Sequence, residues 1–267
     1  MKWLSLALAF ALSACMSFSQ ETTRTKIAEG EYAVSTEGDF GVGPLETEVF
    51  HFRESWTLWH TAAGKYEVDV VRKFESPRGV AHEDNFWAEL TSSLRVAKVK
   101  EFTHLLWIPD SGPLNCDLLA KEMRCDSGGK DPAHTLKVQI PIDRPYGILW
   151  PISAFSMGGM AYLAAEHEGE VVPIELITLN ELSESLPLLT IRSSGSIKYL
   201  GKSDVKYIVT GSSWSPHVFE LKSGPTRTLH IWTSPEGLVL TIEQVESPKT
   251  KLQLVSFRQF ADFPRGN

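Results

Sequence analysis

The chain has 267 residues, 42% of them hydrophobic and 10% aromatic, with a formal charge of −7. That composition excludes a disordered chain, which is poor in apolar and aromatic residues. Lys and Arg are scattered rather than gathered into a stripe, so no nucleic-acid partner is expected.

The amino terminus reads as a targeting segment. Lys2 supplies a minimal positive start, residues 3–12 form a short apolar core, and small residues follow. This is the layout of a secretory signal, and it is too short to span a bilayer, which takes about 20 residues. Two cleavage readings stand. Leu12-Ser13-Ala14-Cys15 matches the bacterial lipobox, which would make Cys15 the site of lipidation. Alternatively, a signal peptidase cuts after Ser19 and the protein is secreted in soluble form. The expected organisation is a signal peptide over 1–19, a flexible tether over 20–28 and one β-rich domain over 29–263. With lipidation the tether would run over 16–28. The expected location is extracytoplasmic: periplasmic or lipid-anchored in the first reading, secreted in the second.

Strand patterns follow. Residues 30–54 carry two β-forming runs on either side of a glycine-rich connection at 38–44. In "KYEVDVV", Tyr66, Val68 and Val70 alternate with polar neighbours, the mark of a half-buried strand. "AHEDN" at 81–85 reads as a solvated loop, with a metal or acid–base site as the sharper alternative.

"LNCDLLAKEMRCDSGG" holds Cys116 and Cys125, the two cysteines other than Cys15. On a helix, residues nine apart face opposite ways and cannot bridge. In a hairpin turning between Ala120 and Lys121, Cys116 meets Cys125, Leu118 meets Met123, and Asp117 meets Arg124. A disulfide is therefore expected, in an oxidising compartment. Ala-Lys is a poor two-residue turn, so a four-residue type I loop is expected.

"HTLKVQIPI" alternates again. Next, Ser153 is a candidate cap for a short helix near 154–167, with Gly169 beyond its end and Phe155, Tyr162 and Leu163 on its apolar side. Gly158-Gly159 inside it mean close packing, a kink or a hinge. The helix is expected to plug the open end of a curved sheet; the alternative is a lid over an apolar cavity. Six more runs between 170 and 246 read as strands. Ser234-Pro235-Glu236-Gly237 suits a type I turn. The fold class is mainly β: long antiparallel strands in a twisted, partly open barrel or sandwich.

From Gly195 onward, "IKYLGKSDVKYIVTG", "HVFELKSG" and "RTLHIWTSPEGLVLTIE" follow in an order that resembles uncharacterised bacterial envelope proteins built from long antiparallel strands. The resemblance implies a twisted barrel or sandwich outside the cytoplasm and brings no catalytic residues. Lipoprotein-carrier half-barrels are similar at the level of fold.

No metalloprotease helix, nucleophile elbow, phosphate loop or dinucleotide fingerprint appears in the sequence. "EHEGE" at 166–170 places carboxylates against a helix end, an unusual place for structural acids. No cofactor, metal or catalytic residue is assigned. Tryptophans are numerous, and Phe155, Tyr162, Trp214 and Trp232 are candidate lining for an apolar ligand. The resulting expectation is a non-catalytic protein that binds an apolar small molecule, a lipid or an envelope protein, tied to a membrane through Cys15. A hydrolase with a site that motifs do not reveal, and a structural envelope subunit, are the other two classes.

Overall fold

The computed structural model describes residues 24–37, 50–76, 79–102, 114–127, 137–150, 153–180, 189–224, 227–246 and 249–263. Residues 1–23, with the expected signal peptide and Cys15, and the 38–44 connection lie outside them. Seventeen strands and one helix are described. The first nine strands are β1 (Arg24–Glu37), β2 (Phe50–Thr61), β3 (Tyr66–Ser76), β4 (Gly79–Leu90), β5 (Val96–Phe102), β6 (Leu114–Leu118), β7 (Glu122–Ser127), β8 (Lys137–Pro141) and β9 (Tyr146–Trp150). Helix α1 (Ser153–Ala165) follows. The rest are β10 (Val171–Asn180), β11 (Leu189–Lys202), β12 (Tyr207–Val209), β13 (Ser212–Trp214), β14 (His217–Ser223), β15 (Arg227–Thr233), β16 (Val239–Gln244) and β17 (Lys249–Gln259).

Fifteen strands form one sheet, ordered β8-β7-β6-β5-β4-β3-β2-β1-β17-β16-β15-β14-β11-β10-β9. Apart from β9 with β10, the paired strands run antiparallel, the arrangement that a hairpin connection allows. The pairing of β1 with β17 brings the two halves of the chain together. Period-two patterning decides the faces. In β15, Leu229, Ile231 and Thr233 are buried while His230 and Trp232 alternate with them on the other side.

The sheet curls without closing. Its edges, β8 and β9, share no ladder, yet only residues 142–145 separate them in the chain. The Ile142 N–H donates to the Lys121 carbonyl, and the Glu175 N–H donates to the Pro145 carbonyl. The edge-to-edge turn is thereby held between the β6–β7 tip and β10, and the Ile142 side chain is buried there. A seam results in place of a closing ladder.

One pair, β9 with β10, is parallel. A parallel pair needs a crossover, and α1 supplies it. The helix is apolar on most of its circumference: Ala154, Phe155, Met157, Met160, Ala161 and Ala164 are all buried. That is the pattern of a helix inside a core rather than on a surface. The sequence reading of one apolar side is corrected accordingly; Phe155 is buried, but Tyr162 and Leu163 are half-buried. The helix touches β5, β9, β11, β15 and β16, so it packs as a plug inside the curled sheet.

The two glycines of α1 fit by having no side chain. A Cβ on Gly158 would lie 2.7 Å from the Gly237 carbonyl oxygen, and one on Gly159 would lie 2.9 Å from Arg95 Cγ. Of the three roles the sequence left open, close packing is the one observed. Gly237 belongs to the β15–β16 turn, which forms as read: its N–H donates to the Ser234 carbonyl and its φ is +93°.

Three local readings change. β1 starts at Arg24, so residues 24–28 are strand rather than tether. Ile27 and Ala28 are buried there because β1 has partners on both sides. "AHEDN" lies within β4 rather than in a loop, since cross-strand partners accommodate its charges. Glu83 faces Lys73, with a 3.4 Å ion pair. The β6–β7 connection is two residues long: the Leu119 N–H donates to the Glu122 carbonyl across Ala120 and Lys121. Grip on this tip from the edge-to-edge turn offsets its poor turn chemistry.

The connections sort to two ends. At one, here called the turn end, lie the turns β2–β3, β4–β5, β6–β7, β8–β9 and β15–β16 and the start of β1. The small β12–β13 hairpin inserts there between β11 and β14.

Candidate functional site

A cleft of about 240 Å³ opens beside the seam at the turn end. Four separate pieces of chain build it. The β4–β5 turn and the start of β5 contribute Thr91, Arg95, Val96 and Ala97; the β6–β7 tip contributes Leu118, Leu119 and Ala120. β9 adds Tyr146 and Gly147, and α1 adds Gly159, Met160 and Leu163. Close backbone approach makes the space. A Cβ on Gly147 would lie 2.3 Å from Met160 Sδ, so β9 reaches the helix only because residue 147 is glycine. The floor is apolar, from Val96, Ala97, Leu118, Met160 and Leu163.

Polar groups sit at the rim. The Tyr146 hydroxyl donates to the Leu119 carbonyl at 3.2 Å, and burial pushes its phenol pKa up, so it stays a neutral donor. The aliphatic stem of Arg95 covers Gly159, leaving its exposed cation at the edge of the cleft. An apolar floor with few polar groups at the edge is the make-up of a small-molecule site, though this one falls below the usual range of roughly 300–1,000 Å³. It has room for a short apolar chain rather than for a whole large ligand.

The sequence-predicted residues do not converge on this cleft. Phe155 is buried in the centre, its ring edge-on to Trp56 with centroids 5.6 Å apart. Tyr162 precedes Leu163 on α1 and is half-buried. Trp214 ends the β12–β13 hairpin and packs edge-on to Phe257 at 5.1 Å. That hairpin stands in for a missing strand beside β17: Thr210 Oγ1 donates to the Phe257 carbonyl and accepts from its N–H. Trp232 lies on the opposite face of β15 from buried Ile231 and meets the His230 ring edge-on. The four aromatics therefore do not line one space.

Cys116 and Cys125 stand in register across β6–β7, with Asp117 opposite Arg124 and Leu118 opposite Met123, all as read from sequence. Their sulfurs are 2.06 Å apart, the spacing of a disulfide, and both residues are buried. On the outer side of the same strands lies a larger recess of about 710 Å³, lined by Lys98, Asp117, Arg124 and Gln139 among others. It is polar and its charges are engaged: Lys98 pairs with Asp117 at 2.7 Å, and that hydrogen bond holds the Lys98 pKa above its usual value. The smaller cleft differs in being lined mainly by apolar residues.

Two further charged groups stand out. Glu54 and Arg72 face each other across β2 and β3, both side chains essentially without solvent contact. Arg72 Nε and Nη2 both donate to Glu54 Oε2, at 3.1 and 2.5 Å, and the guanidinium lies over the rings of Phe52 and Phe86. Tyr32 packs nearby and donates to the Val239 carbonyl at 2.9 Å; burial, with the Glu54 charge behind it, pushes its pKa well up. At the start of β1, Arg24 spans Asp69 with two hydrogen bonds and stacks over Trp59, whose indole N–H also donates to Asp69. Arg24, Trp59 and Asp69 thus form one connected group.

Among the described residues no group of three or more His, Cys, Asp or Glu is placed to hold a metal ion. The "EHEGE" stretch is exposed, and His167 Nδ1 lies 3.0 Å from the Leu163 carbonyl at the helix end. Among the described residues no helix is long and apolar enough to cross a membrane.

The fold has a solved counterpart. The chain is similar to a β-barrel-like protein of the domain of unknown function DUF1849 from Brucella abortus, known from a crystal structure. The TM-score is 0.52 at 7% sequence identity, over 89% of this chain and 99% of the other. At that identity the likeness is one of fold alone, and it agrees with the sequence reading of an uncharacterised, mainly β family. No protein-family model matches the sequence. No curated protein matches it.

The cleft residues were missed from sequence because each is ordinary in its own segment. Gly147 and Gly158-Gly159 were the available signal, since an isolated glycine within a strand or helix marks a close approach.

Proposed function

We propose that this chain is a non-catalytic binding protein of the cell envelope, anchored through a lipidated Cys15, that takes an apolar chain of a small molecule or lipid into the cleft between α1, β5 and β9. The observation that carries the reading is the apolar floor of that cleft. Burying apolar surface there yields roughly 25 cal/mol per Å² removed from water. A chain with a polar head would leave the head near Arg95 and Thr91 at the rim. Export is supported by the lipobox and by a cysteine pair at disulfide spacing, which persists mainly in oxidising compartments.

Native mass spectrometry of protein released from the envelope without added lipid tests the reading. The expected spectrum holds an adduct of acyl-chain mass that collisional activation releases intact. Protein that carries no adduct, and that takes none up when mixed with fatty acid, would contradict it.

A further inference from the structure

We infer that the turn end is a lipid-bilayer docking face; the inference rests in part on the lipid anchor proposed above. Six exposed large hydrophobic residues belong to this end: Leu119, Val171, Leu200, Val205, Ile208 and Phe260. They come from the β6–β7 tip, the start of β10, the end of β11, the β12–β13 hairpin and its lead-in, and the end of β17. Val205 and Ile208 are the most open, at 75% and 69% exposure. Val205 and Ile208 share one short segment, and exposed apolar residues close together mark an interaction surface, whereas scattered single ones do not.

The anchor proposed at Cys15 points to the occupant. Arg24 opens β1 opposite Thr61, at the same end. Cys15 precedes it by nine residues, which reach at most about 30 Å when fully extended. A bilayer holding acyl chains on Cys15 therefore lies within that distance of the turn end. The charges at this end are of both signs, with Lys202, Lys206 and Arg258 exposed alongside Asp204, Glu236 and Asp262. Contact is thus carried by apolar insertion, and zwitterionic lipid suffices. The ligand cleft has its rim at the same end, at Thr91, Leu119 and Ala120, so docking brings the cleft to the membrane surface.

A spin label reads this directly. With Cys15 acylated or removed with the signal, and Cys116 bonded to Cys125, an introduced cysteine is the one free thiol. Label is placed at Ile208→Cys on the turn end and at Val245→Cys, an exposed position at the opposite end, with Val205→Cys as a second turn-end site. On adding phosphatidylcholine vesicles, the ratio of oxygen to nickel-chelate collisions is expected to rise at least threefold at Ile208→Cys and Val205→Cys and to stay constant at Val245→Cys. Equal water exposure at all three sites overturns the inference. So does spin–spin broadening at Ile208→Cys without lipid exposure, which would assign the face to a second copy of the chain. The intact mass of the mature protein separates the two claims. An acylated chain with water-exposed labels sinks the docking face alone; an unacylated chain whose turn-end labels enter lipid sinks the anchor alone.

Discussion

Glu54 and Arg72 sit where charge is costly, both nearly solvent-free inside the curled sheet. Such a pair is retained through mutual satisfaction: removing one partner strands the other charge, whereas removing both need not destabilise. Glu54 Oε1 has no hydrogen-bond partner among the described residues; Oε2 accepts both hydrogen bonds from the guanidinium, which also lies over the ring of Phe52. Glu54→Leu is expected to destabilise by about 3–5 kcal/mol in urea unfolding. The double variant Glu54→Leu/Arg72→Met is expected to recover most of that loss. A double variant as unstable as the single one would mean that Arg72 matters for reasons other than its charge. Neither residue is conspicuous in the sequence, where "FRESW" and "VVRKF" read as ordinary strand. That these two side chains share the inner face follows from the β2–β3 register rather than from residue type.

At the scale of elements, α1 holds two adjacent glycines in different surroundings. Alanine favours a helix by about 1 kcal/mol over glycine, so both Gly→Ala changes begin with a gain. At Gly158 the added methyl meets a backbone carbonyl oxygen of the β15–β16 turn at 2.7 Å, and neither helix nor turn can withdraw. Gly158→Ala is therefore expected to lower stability by about 1–3 kcal/mol, the usual cost of overpacking. At Gly159 the added methyl meets Arg95 Cγ at 2.9 Å, which can rotate away, and Arg95 Cα at 3.2 Å, which needs a shift of only a few tenths of an ångström, so Gly159→Ala is expected to cost less than Gly158→Ala. Thermal unfolding of both variants checks the contrast; a larger loss at Gly159 would contradict the packing described. Elements whose register is set locally were legible: the β6–β7 hairpin from its three pairings, and the β15–β16 hairpin from Ser-Pro-Glu-Gly. The uniform burial of α1 was not, because it depends on strands brought round it by distant pairings. The two-residue β6–β7 turn was not, because its support comes from Ile142.

For the whole molecule, alternating patterns announced a large antiparallel sheet, and the barrel-like architecture follows them. What the sequence left unsaid is how the sheet ends. Its two edge strands are neighbours in the chain, so curling brings them together at one short turn, and the parallel β9–β10 crossover carries the helix into the interior. Between plug and wall remains a small apolar space, assembled from residues near 95, 119, 146 and 160. No local motif encodes such a site, since its members meet only when the sheet has curled. The face that Trp232 occupies was not legible for the same reason: its partners on either side, not its type, fix it.

The cleft is the feature on which the functional account stands, and a fluorescent fatty-acid titration of wild type and Ala97→Phe tests it most directly. Ala97 lines the floor, and a phenyl ring there fills the space while leaving the strand pairing in place; the melting curve verifies the fold. The account predicts saturable one-to-one binding to wild type, weakened at least tenfold in Ala97→Phe at an unchanged melting temperature. No saturable binding to wild type, or equal affinity in both proteins, would contradict it.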